Sequence, residues 1–196
     1  MEGKILSIRT KEKKSALVIL EIATEGGANK YTLSEGTYRE IGCPLSGEII
    51  DEASLYVIIE EDERRRCLQK ALRILSFSDN SERGLYLKLL KSGFDKEASL
   101  GAVEECVSLG YVDERRQIER IIRHFANDGI GPYKILRKLL SGRYKKELCF
   151  LTLRELEESD EVNFARMREN LICEKLSEDA TPEERRKLLY RYGFIT

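Results

Sequence analysis

The sequence predicts a mainly α-helical protein: tandem three-helix repeats in an elongated curved array, preceded by a small β-containing N-terminal lobe. Three observations carry that expectation. First, "KLLKSGFDKE" (88–97), "KLLSGRYKKE" (138–147) and "KLLYRYGFIT" (187–196) are near copies, and Phe94, Tyr144 and Phe194 mark a period of 50 residues. Regularity of that length is the signature of a repeat architecture, in which each unit buries its apolar face against the next. Second, the apolar positions obey the same shift. Leu68, Ala71 and Leu72 map onto Ile118, Ile121 and Ile122, and Leu85, Leu89 and Leu90 onto Ile135, Leu139 and Leu140. Third, the first fifty residues break the pattern, with short runs rich in Val, Ile and Leu at 3–10 and 14–24 that favour strands.

The N-terminal lobe is expected over 1–50. "EGGAN" (25–29) supplies turn chemistry, "KYTLS" (30–34) a third short strand, and "SEGTYREIG" a capped helical turn stopping at Gly42 with Pro44 beyond. A lobe of that size holds little core by itself. A junction helix and the first three-helix repeat fill 51–111. Asp51 caps, Leu55, Ile58 and Ile59 form a stripe, and Leu68, Ala71, Leu72 and Leu75 recur at helical spacing. Asn80 or Ser81 caps the next helix, which stops at Gly93. Asp95 caps the third, which buries Ala102, Val103, Cys106 and Val107 and stops at Gly110.

The second repeat occupies 112–159, with a helix over 113–127 and a corner at "GIGP" (129–132). There Gly129 takes the left-handed conformation and Pro132 opens the following helix. That corner reads either as a plain interhelical turn or as a device that sets two basic helices side by side. A truncated third repeat covers 160–196. It is the weakest copy, since Leu68 corresponds to Arg168 and Leu85 to Arg185. Its second helix opens with Thr181 as cap, Pro182 at the first position and Glu183 and Glu184 in the first turn.

Composition narrows the function classes. No apolar run approaches the roughly 20 residues of a membrane span, and "MEGKILSIRTKEKK" has no secretory apolar core. Cys43, Cys67, Cys106, Cys149 and Cys173 lie far apart with no Cys-x-x-Cys pair, which reads as buried free thiols in a reducing, cytoplasmic compartment. The one histidine, His124, has no nucleophile motif near it, and no Walker loop, dinucleotide fingerprint or metal-ligand spacing is present. The expectation is a protein that is not an enzyme and carries no cofactor or metal.

Charge is where function shows. With 34 basic and 35 acidic residues the total is nearly balanced, but the distribution is not. Arg115, Arg116, Arg120, Arg123, Lys134, Arg137, Lys138, Arg143, Lys145 and Lys146 stand against two acids, Glu119 and Asp128. From Glu147 to Glu184 the balance reverses, with twelve acids against four bases. Arg116, Arg120 and Arg123 share one helix face, and Lys134, Arg137 and Lys138 make a similar stripe on the next. These ten residues are the candidate partner or DNA contact, suited to phosphates or to an acidic protein groove. Ordinary solvated helix faces are the competing reading. Tyr111, Tyr133 and Tyr144 lie near the patch as stacking platforms or as half-buried packing at helix ends.

"LGYVDERR" (109–116) followed by "DGIGPYKILRKLL" (128–140) resembles the central repeat of the RecX family, and "EEDERRRCLQKALRILSFSDNSERGLYLKLLKSGF" (60–94) resembles its first repeat. The likeness covers about 60–196 well and the N-terminal lobe more loosely, through "TYREIG" and "IIEEDE". The chain departs from the family at "RQIE", where an aromatic commonly follows the Asp-Glu-Arg stretch, and in the missing last helix. The resemblance implies a regulator of the RecA recombinase, with inhibition the expected sense. Such a regulator binds the RecA–single-stranded DNA filament and restrains its ATPase, strand exchange and growth in recombination, DNA repair and the SOS response. The expectation is a monomer, with no membrane partner given the short apolar runs. The basic middle repeat is the expected contact; the acidic third suits a basic filament surface or mimicry of DNA charge. The alternative is a helical module that binds DNA or RNA directly without a recombinase, and a third reading is a scaffold for an unrelated partner.

Overall fold

The computed structural model describes residues 2–10, 16–24 and 27–195. Among them are β1 (Glu2–Thr10), β2 (Leu17–Thr24), β3 (Gly27–Ser34), α1 (Glu35–Glu40), β4 (Ile49–Asp51) and α2 (Glu52–Leu75). Then follow α3 (Glu82–Lys91), α4 (Lys96–Ser108), α5 (Glu114–Asn127), α6 (Pro132–Ser141), α7 (Lys146–Glu158), α8 (Phe164–Lys175) and α9 (Pro182–Tyr192). The chain forms two compact units, Met1–Ile74 with Leu89–Cys106, and Leu75–Lys88 with Val107–Thr196.

In the first unit an antiparallel sheet in the order β3-β2-β1-β4 packs on α2. Alternation decides which face is covered. Val18, Leu20 and Ile22 point to the same side of β2, and they bury with Ile5, Leu33, Leu55 and Ile59. The third strand starts at Gly27 rather than at 30, and β4, which pairs with β1 through Glu2↔Asp51 to Lys4↔Ile49, was not expected. The expected start of the second strand at 14–15 and residues 25–26 of the turn lie outside the described residues. Asp51 caps as expected, accepting from the Ser54 N–H at 3.1 Å. The junction helix and the first helix of the repeat are one continuous α2 of 24 residues.

A buried carboxylate ties this sheet to α2. Asp62 accepts from the Ser34 N–H (2.9 Å), the hydroxyls of Ser34 and Thr37 (2.6 Å each) and Arg66 Nε (2.7 Å). Arg66 also donates to the Thr32 carbonyl at 2.9 Å. Burial alone would raise the Asp62 pKa, but the hydrogen bonds from Ser34, Thr37 and Arg66 outweigh it and hold the carboxyl below its usual range.

The helices bear out the period. α3, α6 and α9 begin at 82, 132 and 182; α4 and α7 at 96 and 146; α5 and α8 at 114 and 164. The stops repeat too. Gly93, Arg143 and Gly193 all have positive φ, and Phe94, Tyr144 and Phe194 each donate a backbone N–H to the carbonyl five residues back (Leu89, Leu139 and Leu189). Arg143 therefore does, at some backbone cost, what glycine does in the other two copies.

Two expectations on burial fail. Val107 is exposed, because the last turn of α4 is open to solvent although it continues the apolar spacing. Only Cys67, Cys106 and Cys149 are buried; Cys43 and Cys173 are exposed, since neither falls on a core face.

Candidate partner and nucleic-acid interface

The second unit carries all ten candidate cations, and its geometry sorts them into two groups. Its core joins Ile118 and Ile122 of α5, Ile135 and Leu139 of α6 and Cys149 and Leu153 of α7. These are apolar faces at helical spacing, so the opposite faces, which hold the basic residues, turn to solvent.

On α5 most of the positive charge is met by carboxylates from other elements. Arg115 Nη2 lies 2.6 Å from Glu155 and its Nε 3.5 Å from Glu119. Arg123 reaches Glu161 at 2.8 Å and Glu119 at 3.3 Å, and the Glu161 hydrogen bond pushes its guanidinium pKa further up. Arg120 pairs with Asp79, so that among the described residues Arg116 alone of the four α5 arginines has no ion pair. His124 is exposed, 3.8 Å from Asp128.

The turn into α7 is matched in the same way. Lys145 bridges to Glu82 at 2.8 Å, while Lys146 sits over the Phe150 ring at 5.9 Å. Beneath this pair Glu114, 5% exposed, accepts from the Glu82 N–H at 2.9 Å and so caps α3 from outside. Burial raises the Glu114 pKa despite that bond. Tyr144 is half-buried, its hydroxyl donating to Gln117 at 3.0 Å, which makes it packing rather than a platform.

α6 is different. Its N-terminus is a seat for the end of α9. The Gly131 N–H donates to the Tyr192 carbonyl (2.8 Å), the Tyr133 N–H to the Gly193 carbonyl (3.0 Å), and Lys134 Nζ to the Arg191 carbonyl. The unpaired donors that open one helix thereby satisfy the unpaired acceptors that close another. Gly131 must lack a side chain for this, since a Cβ would stand 2.4 Å from the backbone of Gly193. Fifty residues earlier the same junction recurs, with the Ser81 hydroxyl donating to the Gly142 carbonyl at 2.7 Å. The "GIGP" corner is thus more than a turn: it is the point where α9 docks.

Docking leaves an open groove of about 770 Å³ between α6 and α9. Lys134 and Arg137 line one side, Lys187 and Arg191 the other, with Tyr133 and Tyr190 beside them and no Asp or Glu among the described lining residues. Glu183 approaches Lys187 at 2.9 Å, one acid against four cations. Among the described residues Arg137, Lys138 and Arg143 have no ion pair. Sequence reading missed the α9 half of the groove. Its signal, "RRKLLYRY" (185–192), was present but began one residue after the acidic stretch that closed at Glu184.

No protein-family model matches the chain. It is 32% identical over 100 residues to the regulatory protein RecX of Legionella pneumophila (strain Corby), a match covering 51% of this chain and 66% of that protein. That falls just under two thirds of the relative's length. To the regulatory protein RecX of Xanthomonas axonopodis pv. citri (strain 306) it is 30% identical over 132 residues, covering 65% of this chain and 79% of that one. The chain belongs to the RecX family of regulatory proteins.

Two solved RecX structures share the fold. One superposes with a TM-score of 0.58 at 16% identity over 96% of this chain and 91% of its own. The other, from Lactobacillus salivarius, gives 0.56 at 16% identity over 69% and 90%. Among the described residues there is no group of three or more His, Cys, Asp or Glu able to hold a metal. No described helix is long and apolar enough to cross a membrane.

Proposed function

We propose that this RecX-family chain is a cytoplasmic regulator of the RecA recombinase. It binds the RecA–single-stranded DNA filament and acts as an inhibitor of its ATPase, strand exchange and growth. Membership of the RecX family, carried by the 30% identity over 132 residues, is the observation that supports this reading. The basic faces of the second unit supply a surface of the right sign for a DNA-containing filament. Within them Arg116, Lys134, Arg137, Lys138, Arg143 and Lys146 are the stronger candidates, because acids of the same unit already occupy Arg115, Arg120, Arg123 and Lys145.

The test is single-stranded-DNA-dependent ATP hydrolysis by the cognate RecA, titrated with this protein. Suppression well below one copy per recombinase is the expected result; unchanged hydrolysis at equimolar protein overturns the reading. The groove with two exposed tyrosines favours a second reading, a nucleic-acid-binding module that acts without a recombinase. Binding to bare DNA with no effect on RecA would put that one in front.

A further inference from the structure

We infer that the α6–α9 groove is a binding site for single-stranded nucleic acid. In it Tyr133 and Tyr190 stack on bases, and Lys134, Arg137, Lys187 and Arg191 hold the backbone. The inference deepens the regulator reading and takes its setting from it. Its test is independent of any recombinase.

Charge is the first argument. Four cations line one groove, and among the described residues Glu183 is the single acidic side chain in an ion pair with any of them. Like charges gathered without counter-charge repel one another, and a polyanion removes that cost while releasing its own counterions. Elsewhere in the same unit arginines at similar exposure are paired to Glu155, Glu161 and Asp79, so the lack of acids here is a local property of the groove.

Aromatics are the second argument, and they choose the ligand class. Tyr133 is 49% and Tyr190 66% exposed, and among the described residues neither hydroxyl has a hydrogen bond. Tyr144 shows what packing requires: burial and a hydrogen bond to Gln117. Tyrosines that serve neither need offer open π-faces beside cations, the pairing used for unstacked bases. An acidic peptide would use the cations but not two flat rings, and a duplex keeps its bases stacked away from such side chains.

Rigidity is the third. Arg137 lies one helical turn beyond Tyr133 on α6, and Arg191 one turn beyond Lys187 on α9. The two helices are held by three hydrogen bonds at the Gly131 seat, so the platform exists before the ligand arrives.

The experiment measures fluorescence anisotropy of labelled oligothymidine with the full chain and no recombinase, across a salt series. An abasic strand and a duplex of equal length serve as competitors. Tyr133→Ala and Tyr190→Ala should each weaken binding about tenfold, with Tyr→Phe at either site restoring it. Arg137→Ala and Lys187→Ala should each flatten the salt slope by about 0.7. Equal competition by the abasic strand, with tyrosine variants unaffected, overturns base stacking; duplex preference overturns the single-strand assignment. Absence of binding, in a chain that still suppresses RecA hydrolysis, discards the groove while the regulator reading stands. Absence of both discards both.

Discussion

Asp62 in the first unit and the α6–α9 groove in the second hold charge in opposite ways. Asp62 is almost wholly buried, and its two oxygens accept four hydrogen bonds, one of them from Arg66. The groove is open, and among the described residues its four cations meet one acidic side chain. A buried charge survives only when its partners are complete, so Asp62 has the marks of architecture. An exposed charge costs little unpaired, and clustering several without acids stabilises nothing in the folded chain itself. The comparison teaches that satisfaction of charge, more than its amount, separates a fold element from an interface.

The sharpest way to break the architectural side is Asp62→Ala. It strands Arg66, Ser34 and Thr37 and should cost about 3 kcal/mol in urea unfolding. The pH dependence follows from the depressed pKa. The contribution of Asp62 is present above the unfolded carboxylate value, near 3.9, and is lost as pH falls through the lower folded value. The gap between wild type and variant should therefore be full at neutral pH and shrink below about pH 4. An equal gap at both ends would show that Asp62 acts through packing rather than charge.

Next in size is the seat that builds the groove. Gly131→Ala places a Cβ 2.4 Å from Gly193, and relief requires α9 to shift, at about 2 kcal/mol. Gly129→Ala is the control. That residue has φ 74° with nothing within 4 Å of a Cβ, so only backbone strain of about 1 kcal/mol is expected. If Gly129→Ala proved the costlier change in thermal unfolding, the corner would be a turn and the docking incidental.

How much of this was written in the sequence depends on the range of each interaction. Helix starts are local. Asp95 and Thr181 cap from one turn away, accepting from Ala98 and Glu184, and their residue types announced them. Asp113 caps α5 in the same way, accepting from Arg116, where the sequence placed the start of that helix without naming its cap. The 50-residue period was legible because each repeat faces the same neighbour problem and solves it with the same apolar positions. Contacts across the fold left no such trace. Gly131 meets Gly193 from 62 positions away, and Asp79, Glu155 and Glu161 neutralise α5 arginines from other segments. The basic run on α5 looked like the strongest patch for that reason alone. Short β4 was missed because three residues carry too little pattern to read, and Ile49 is exposed.

The smallest effect gives the finest discrimination, and it lies in the sign. Arg115→Ala and Arg123→Ala each remove a surface ion pair to another segment, Glu155 of α7 and Glu161 in the loop that follows it, and each should cost about 0.5 kcal/mol at low salt, fading as salt screens the pair. Arg137→Ala removes a cation that has no acid partner among the described residues and whose groove neighbours are themselves positive, so stability should be unchanged or rise by a few tenths of a kcal/mol. Paired thermal melts at low and high salt would show the two classes converging from opposite sides. Were Arg137→Ala to destabilise like the α5 variants, the groove cations would have structural counter-charges after all, and the unsatisfied charge that marks this surface as an interface would be gone. A rise on removal is the signature of a residue kept for something other than the fold.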